Sequence, residues 1–135
     1  GLINSGMKAQ QKILAQKSSQ IDARIALSFI NMRVRQNDEK GMVHVKKYRG
    51  NDAIVLQSRG DYEYDTWIYF IDGKLLECVL DAGQEPGEFQ GTEIANVLSF
   101  DVSFSGNKRS LVSKISFLNN EKAEVMEKIV TLSSV

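Results

Sequence analysis

The hydrophobic periodicity of this chain changes at Gly41, and that change limits the folds open to it. Before Gly41 the apolar residues recur every three or four positions, which places their side chains on one face of a helix. After Gly41 short apolar runs alternate with turn residues, as in strands joined by tight turns. The sequence therefore predicts an α+β fold in which a long N-terminal helix packs on a meandering antiparallel β-sheet.

The helix is predicted over residues 5–40, where good or tolerable helix formers predominate and Gly41 is suited to end it. Its first half, residues 8–20, is polar nearly all round and is expected to project from the domain. A frayed chain end is the alternative. Deletion of residues 1–18 is then expected to leave stability nearly unchanged while abolishing assembly or membrane retention.

The sheet is predicted over residues 42–132, with six or seven strands, in a single domain that spans residues 1–135. Asp72-Gly73 is the strongest hairpin signal. The residues from Asp81 to Gly91 include the only proline and indicate a surface loop. Strict alternation from Leu98 to Ser105 predicts a half-buried strand. The strand segments are Met42–Tyr48, Ala53–Ser58, Tyr62–Ile71, Lys74–Leu80, Leu98–Ser105, Ser110–Leu118 and Ala123–Leu132.

The predicted core joins the second half of the helix to one face of the sheet. Its members are large apolar residues at helical spacing before Gly41 or at alternate positions of the strand after residue 97. They are Ile25, Phe29, Met32, Leu98, Phe100 and Phe104.

Composition narrows the function classes. Hydrophobic residues make up 42% and charged residues 25%, as in ordinary soluble globular proteins. The 17 basic and 17 acidic residues balance, so no nucleic-acid footprint is evident. The charge is unevenly distributed, however. Residues 1–41 carry seven basic and three acidic residues, or +4, and residues 42–135 carry ten and fourteen, or −4.

The residue types that most often act in catalysis or metal binding are scarce. Cys78 is the only cysteine, which excludes an internal disulfide and a multi-cysteine zinc site. His44 is the only histidine and is predicted to be a strand residue. Ser103 and Ser105 lie on the polar side of a strand with no second histidine to activate them. The sequence therefore predicts a non-enzymatic protein without catalytic, cofactor-binding or metal-ligating residues and without a cofactor.

Two short patterns have both a functional and a structural interpretation. Asp61, Glu63, Asp65 and Asp72 have some of the spacing of a calcium loop, but Thr66 stands where such a loop requires glycine. A strand with one wet face explains the alternation of acids with aromatics better. Arg59-Gly60-Asp61 spells a tripeptide that some cell-surface receptors recognise, yet these residues are also what a turn favours.

No apolar run reaches the length of about 18 to 20 residues that a membrane helix needs. The chain opens at Gly1-Leu2 without a methionine. An upstream segment is therefore expected, and it could hold a membrane helix.

Two passages carry a resemblance to a known family. The first is Ala23-Arg24-Ile25-Ala26-Leu27-Ser28-Phe29-Ile30, followed by Val34-Arg35-Gln36-Asn37-Asp38, and the second is TWIYFIDGKLLE over residues 66–77. They are similar to the Arg-Gln passage near the helix end and to the Tyr-x-x-x-Gly-x-Leu hairpin of minor pilin-like proteins of Firmicutes. From Gln20 to Phe104 the chain thus resembles the soluble part of type IV pilins and pseudopilins, including competence-type pseudopilins.

The resemblance implies a non-enzymatic subunit of a surface filament, secretion or DNA-uptake apparatus. Its partners would be other pilin-like subunits, contacted through the N-terminal helix, and a membrane, contacted through an upstream apolar helix. Its location would be the cell surface or another extracytoplasmic site, membrane-anchored before assembly. The family's apolar first half-helix, processing site and C-terminal disulfide loop are not in this sequence. Lys8, Lys12 and Lys17 also differ from the family's pattern. Basic residues beside a membrane span favour the cytoplasmic side, whereas a pilin domain faces outward.

The alternative function is an extracytoplasmic ligand-binding or sensory module in which a helix wraps a curved sheet. In this hypothesis aromatic side chains line a cleft. The residues concerned are Tyr62, Tyr64, Trp67, Tyr69 and Phe70.

Overall fold

The computed structural model describes residues 20–133. One helix, α1, runs over residues 20–36. The strands are β1 (Val43–Tyr48), β2 (Asn51–Arg59), β3 (Glu63–Ile71), β4 (Lys74–Asp81), β5 (Thr92–Asn96), β6 (Ser99–Phe104), β7 (Ser110–Asn119) and β8 (Lys122–Thr131).

The predicted fold, a long helix packed on one meandering sheet, is wrong. The described residues are mostly strand and form two antiparallel sheets, β1-β2-β3-β4-β5 and β6-β7-β8. The helix ends at residue 36 rather than 40. The Asn37 side chain stops it there, because its Nδ2 donates to the Arg33 carbonyl oxygen at 2.8 Å. The expected projecting half, residues 8–20, lies outside the described residues except for residue 20.

The chain changes sheets between Val97 and Leu98. The Val97 amide donates to the Gly73 carbonyl oxygen in the first sheet at 3.0 Å, and the Leu98 amide donates to the Ser116 carbonyl oxygen in the second at 2.9 Å. Hydrophobic alternation reports which face of a strand is buried but not which strand lies beside it. The sequence therefore predicted one sheet where the molecule has two.

The helix packs on both sheets through a face of small and branched residues. Ala23, Ala26, Leu27, Ile30 and Val34 are fully or almost fully buried. The main core surrounds them with residues of the first sheet, such as Ile54, Leu56, Ile68 and Leu75, and of the second, such as Phe100, Val102, Leu111, Ile115 and Val130.

The predicted helix face was wrong in part. Ile25 and Met32 point away from the core and are 49% and 45% exposed, and Phe29 is half-buried. Both candidate faces satisfy helical spacing, so periodicity alone cannot choose between them. The alanines of the other face let the helix backbone approach the sheets closely. In the strand part of the prediction, Phe100 is buried as expected, Phe104 is half-buried, and Leu98 is exposed.

A second apolar cluster covers the opposite face of the first sheet. It contains Tyr48, Ala53, Val55, Trp67, Tyr69, Ile71, Leu76 and Cys78. The loop between β4 and β5 lies over it, since the Tyr48 hydroxyl donates to the Pro86 carbonyl oxygen at 2.8 Å and the Tyr69 hydroxyl donates to the carbonyl oxygens of Gln90 and Gly87. The expectation that β3 has one wet face is therefore wrong, because its middle is buried on both faces.

Several local predictions are confirmed. The Asp72-Gly73 hairpin joins β3 to β4, and both residues have positive φ, 47° and 74°, as a two-residue hairpin turn requires. The remaining predicted strands match observed ones within one or two residues. The sequence analysis missed β5, a short strand that follows the loop containing Pro86.

Candidate assembly surface

An apolar stripe lies on the solvent side of α1. Ile21, Ile25 and Met32 have exposed fractions of 56%, 49% and 45%, and Ser28, which lies between them in the row, is also exposed. The spacings from residue 21 to 25, 28 and 32 are four, three and four residues, the spacing of a seam between packed helices. We call Ile21, Ile25 and Met32 the helix stripe.

The fold fixes the orientation of the helix stripe. The Arg33 Nε donates to Glu77 Oε2 of β4 at 2.7 Å, and a second guanidinium nitrogen donates to Glu77 Oε1 at 3.4 Å. The same guanidinium lies 4.9 Å from the centre of the Phe29 ring. This two-point ion pair is one contact that orients α1, together with the buried helix face that contains Leu27 and Ile30. The helix stripe is thus held outward while the alanine face stays in the core.

The helix stripe is flanked by positive charge. Arg24 and Arg35 are exposed on α1 beside it, and they belong to the part of the sequence with net charge +4. The strands and loops after residue 41 carry the balancing −4. Within residues 20–41 four basic and three acidic residues leave a net charge of +1, and the other three lysines of this part of the sequence lie outside the described residues.

The acidic residues considered for calcium do not converge. Asp65 is buried, and its carboxylate accepts from Arg59 at 2.7 Å and from the Gly83 amide at 3.0 Å. Asp61 and Glu63 are exposed at the start of β3, and Asp72 lies at the opposite end in the hairpin turn. Within residues 20–133 no group of three or more acidic, histidine or cysteine side chains could hold a metal ion.

The Arg59-Gly60-Asp61 tripeptide is exposed, but its arginine side chain is held by contacts within the fold. Arg59 ends β2, and its guanidinium donates to the Asp65 carboxylate and to the carbonyl oxygens of Ser58 and Tyr64. The arginine is therefore engaged away from Asp61. This geometry fits the turn interpretation.

The remaining candidate chemical groups have structural surroundings. His44 Nε2 lies 2.9 Å from Gln57 Oε1 on the neighbouring strand. Cys78 is buried opposite Trp67, and burial raises the pKa of its thiol, which keeps it protonated and poorly nucleophilic. Ser103 is exposed, and the Ser105 hydroxyl donates to Asn107 Oδ1 in a turn at 2.8 Å.

The aromatic residues considered for a ligand cleft are not brought together. Trp67 and Tyr69 belong to the cluster under the loop, whereas Phe70 packs against the main core on the other face of β3. Tyr62 is 83% exposed. Successive residues of a strand point to opposite faces, so Trp67 and Tyr69 lie on one face of β3 and Tyr64 and Phe70 on the other, and they do not line one cleft.

The sequence analysis missed the helix stripe because it assigned Ile25 and Met32 to the core. A signal was present in the sequence, since α1 has two apolar rows and only one of them contains alanines. A helix that is apolar on more than one face has more apolar surface than its own domain covers. The surplus row is a candidate contact surface.

Comparisons with known proteins give one match. The model of a family described as "Domain of unknown function (DUF4860)" matches residues 21–116, from α1 into β7. Neither the curated proteins nor the solved structures give a match.

No helix within residues 20–133 combines the length and the apolar character needed to cross a membrane.

Proposed function

The chain belongs to the family described as a domain of unknown function (DUF4860), and we propose that it is a non-enzymatic subunit that assembles with like subunits through α1. The resemblance to pilins and pseudopilins supplies the setting: a surface filament, secretion or DNA-uptake apparatus at the cell surface. In this setting an upstream apolar helix would anchor the subunit in the membrane before assembly. The observation that carries the proposal is the helix stripe.

The helix stripe has the chemistry of a surface that is covered in an assembly. Three large apolar side chains in one row, each about half exposed, cost solvation free energy in an isolated molecule. Their spacing is that of a helix–helix seam, and the Arg33–Glu77 ion pair holds the row outward. A partner surface that covers this row would restore its apolar burial.

The partner proposed for the helix stripe is a second copy of the chain. The part of the sequence that contains α1 carries +4 and the remainder carries −4. In a head-to-tail contact, the part of one copy with net charge +4 would meet the part of the next copy with net charge −4. Such contacts do not close on themselves, so their repetition builds a filament. The 17 basic and 17 acidic residues of the chain balance, so the charge gives no reason to propose nucleic acid as a partner.

The test is assembly of the full-length protein in its own cells after the helix stripe is made polar. Ile21→Ser, Ile25→Ser and Met32→Ser are combined in one variant, and formaldehyde cross-linking followed by immunoblotting reports the ladder of oligomers. We expect the species larger than a dimer to be lost while the melting temperature of the purified protein changes by no more than a few degrees. These side chains contribute little to the domain's own core.

The matched control replaces exposed apolar side chains elsewhere, Tyr62→Ser with Val79→Ser, which are 83% and 60% exposed in the wild-type chain. This control should retain the ladder. A full ladder in the helix-stripe variant would contradict the proposal.

A further inference from the structure

The last strand of the second sheet has an open edge. Within residues 20–133, β8 pairs with β7 over its whole length of ten residues and with no other strand. It contains no proline, and its pairing has no bulge. A long regular edge presents unpaired amide and carbonyl groups to an incoming strand. Two of its apolar side chains, Val125 and Ile129, are 64% and 56% exposed.

The charges on β8 determine which strand fits beside it. Glu124 and Lys128 lie on the face of the sheet that carries Met126, with Met126 midway between them. The Glu124 carboxylate accepts two hydrogen bonds of 3.2 Å from Asn119 Nδ2, a neutral donor that leaves its charge uncompensated. The side chains of Glu124 and Lys128 are exposed. Charged residues on an edge strand block most pairings and permit those in which opposite charges meet.

Among the registers that pair at least five β8 residues of each copy, a second β8 placed antiparallel to the first satisfies this condition in one. When the two-fold axis passes through Met126, Glu124 of each copy lies opposite Lys128 of the other. Moving the axis to residue 124, 127 or 128 sets Glu124, Glu127 or Lys128 opposite its own equivalent. Moving it to residue 125 sets Lys122 opposite Lys128. Among these five registers only the Met126-centred one avoids a like-charge pair, and like charges directly opposite each other are destabilising.

The surroundings of β8 leave room for this strand. Two open cavities of about 420 and 430 Å³ run between β8 and α1. Lys128 lines both, with Arg24 and Met126 at one and Arg35 at the other. Glu127 also lines the first cavity, so two basic side chains face one acidic side chain there, whereas the second cavity has two basic side chains and no acidic one. The cleft is therefore basic on balance, and it lies next to the place where Glu124 of a second copy would enter.

We infer that two copies of this chain join through their β8 strands, with Met126 at the two-fold axis, to form a continuous six-stranded sheet. The partner is a second copy rather than an unrelated extended peptide, because the charge sequence of β8 is complementary to itself. Nine residues of each strand, Lys122 to Val130, overlap in this register. The inference does not depend on the proposed function, since it concerns the backbone edge of β8, although Met32 of the helix stripe lines the second cavity.

A disulfide at the axis tests the register. Directly opposed residues of an antiparallel pair have Cα atoms about 4.5 to 5.5 Å apart, within the range of a disulfide. We expect the Met126→Cys variant of the full chain to form a covalent dimer under mild oxidation, on a non-reducing gel. In the Glu124→Cys control the two introduced thiols would be about 13 Å apart along the strands and should not cross-link. Cys78 is buried and is common to both variants.

Charge reversal tests the pairing itself. Lys128→Glu sets two glutamates against each other twice in the dimer, so we expect its dissociation constant, measured by sedimentation equilibrium, to rise at least tenfold. The double variant Glu124→Lys with Lys128→Glu restores both pairs and should return to within about threefold of the wild type. A monomeric wild type at all concentrations would overturn the inference. Three other results would also overturn it. They are a wild-type dissociation constant in Lys128→Glu, no recovery of that constant in the double variant, and equal yields of cross-linked dimer from the cysteines at positions 124 and 126.

The readouts distinguish this inference from the proposed function. Both β8 experiments use purified protein with an intact helix stripe, and the helix-stripe experiment leaves β8 unchanged. A β8 dimer with no effect of the helix-stripe variant on the cellular ladder would contradict the proposed function alone. The reverse result would contradict the β8 dimer alone.

Discussion

Gly91 is the glycine whose replacement the fold tolerates least. It has φ of +105°, and a Cβ added to it would lie 2.2 Å from the Glu77 carbonyl oxygen and 2.9 Å from Cys78 Cβ. The loop over the second apolar cluster returns to the sheet at this point. Only a residue without a side chain lets the chain pass so close to β4 before β5 begins.

Gly91→Ala should therefore lower the free energy of unfolding by about 2 to 4 kcal/mol, from conformational strain and overpacking together. Gly50→Ala is the matched control, because Gly50 also has positive φ, +85°, but has no atom within 4 Å of the added Cβ. Its cost should be about 1 to 2 kcal/mol. Urea unfolding of the three proteins gives the comparison, and equal losses would refute the close approach at Gly91.

The Tyr69 side chain of β3 holds the same loop against the first sheet. Its side chain is fully buried, and its hydroxyl donates to the carbonyl oxygens of Gln90 and Gly87. Burial raises the pKa of Tyr69 to about 12, with smaller contributions from Cys78 and Tyr48. The folded protein thus favours the neutral phenol, whereas the unfolded chain ionises it near pH 10.

The sign of the pH dependence follows from this difference. The contribution of Tyr69 to stability is complete below about pH 10 and is lost as the pH rises toward 12. Tyr69→Phe should unfold more easily at pH 8, by about 1 to 3 kcal/mol, since two carbonyl groups lose their donor. Its stability should also fall less steeply than the wild type's between pH 10 and 11. Tyr62→Phe, at an exposed position, should keep the wild-type slope, and an unchanged slope in Tyr69→Phe would be the contrary result.

At the scale of elements, α1 has two apolar faces, one buried in the main core and the other exposed as the helix stripe. Leu27 is 1% exposed in the main core, and Ile25 is 49% exposed in the helix stripe. Leu27→Ala should cost about 2 to 5 kcal/mol of unfolding free energy. Ile25→Ala should change it by no more than about 0.5 kcal/mol, because alanine is also a good helix former. Thermal melts compare them directly, and a larger loss in Ile25→Ala would reverse the assignment of the two faces.

Elements governed by local chemistry could be predicted from the sequence. The Asp72-Gly73 hairpin, the loop around Pro86 and the alternation through Phe100 and Val102 each depend on neighbouring residues alone, and each is found. The orientation of α1 depends on which row fits against two sheets, a tertiary property. Ile25 and Met32 were misassigned for that reason, and the candidate site was missed with them.

At the scale of the whole molecule, the division into two sheets could not be deduced from strand patterns. The switch between Val97 and Leu98 requires knowing that one amide bonds to Gly73 and the next to Ser116. The burial of β3 on both faces likewise depends on a loop about twenty residues away. Long-range pairings of this kind leave no periodic signal in either partner.

The proposed head-to-tail assembly should depend measurably on the salt concentration. With +4 in residues 1–41 and −4 in the remainder, head-to-tail contacts gain electrostatic attraction that salt screens over about 10 Å at 0.1 M. Raising the salt from about 0.05 M to 0.5 M should weaken assembly through the helix stripe while leaving the melting temperature of the monomer nearly unchanged. Light scattering and thermal melts report the two quantities. Assembly that strengthens with salt would indicate that the apolar contact acts without the charges.

The most direct test of the account is the accessibility of the helix stripe inside the assembled state. A cysteine at position 25, introduced as Ile25→Cys, should react with a maleimide in the purified monomer and be protected at least tenfold in intact cells that carry the assembly. Tyr62→Cys, on a surface assigned no partner, should react equally in both. The account predicts protection confined to position 25. Equal reactivity of that cysteine in the monomer and in the assembly would contradict it.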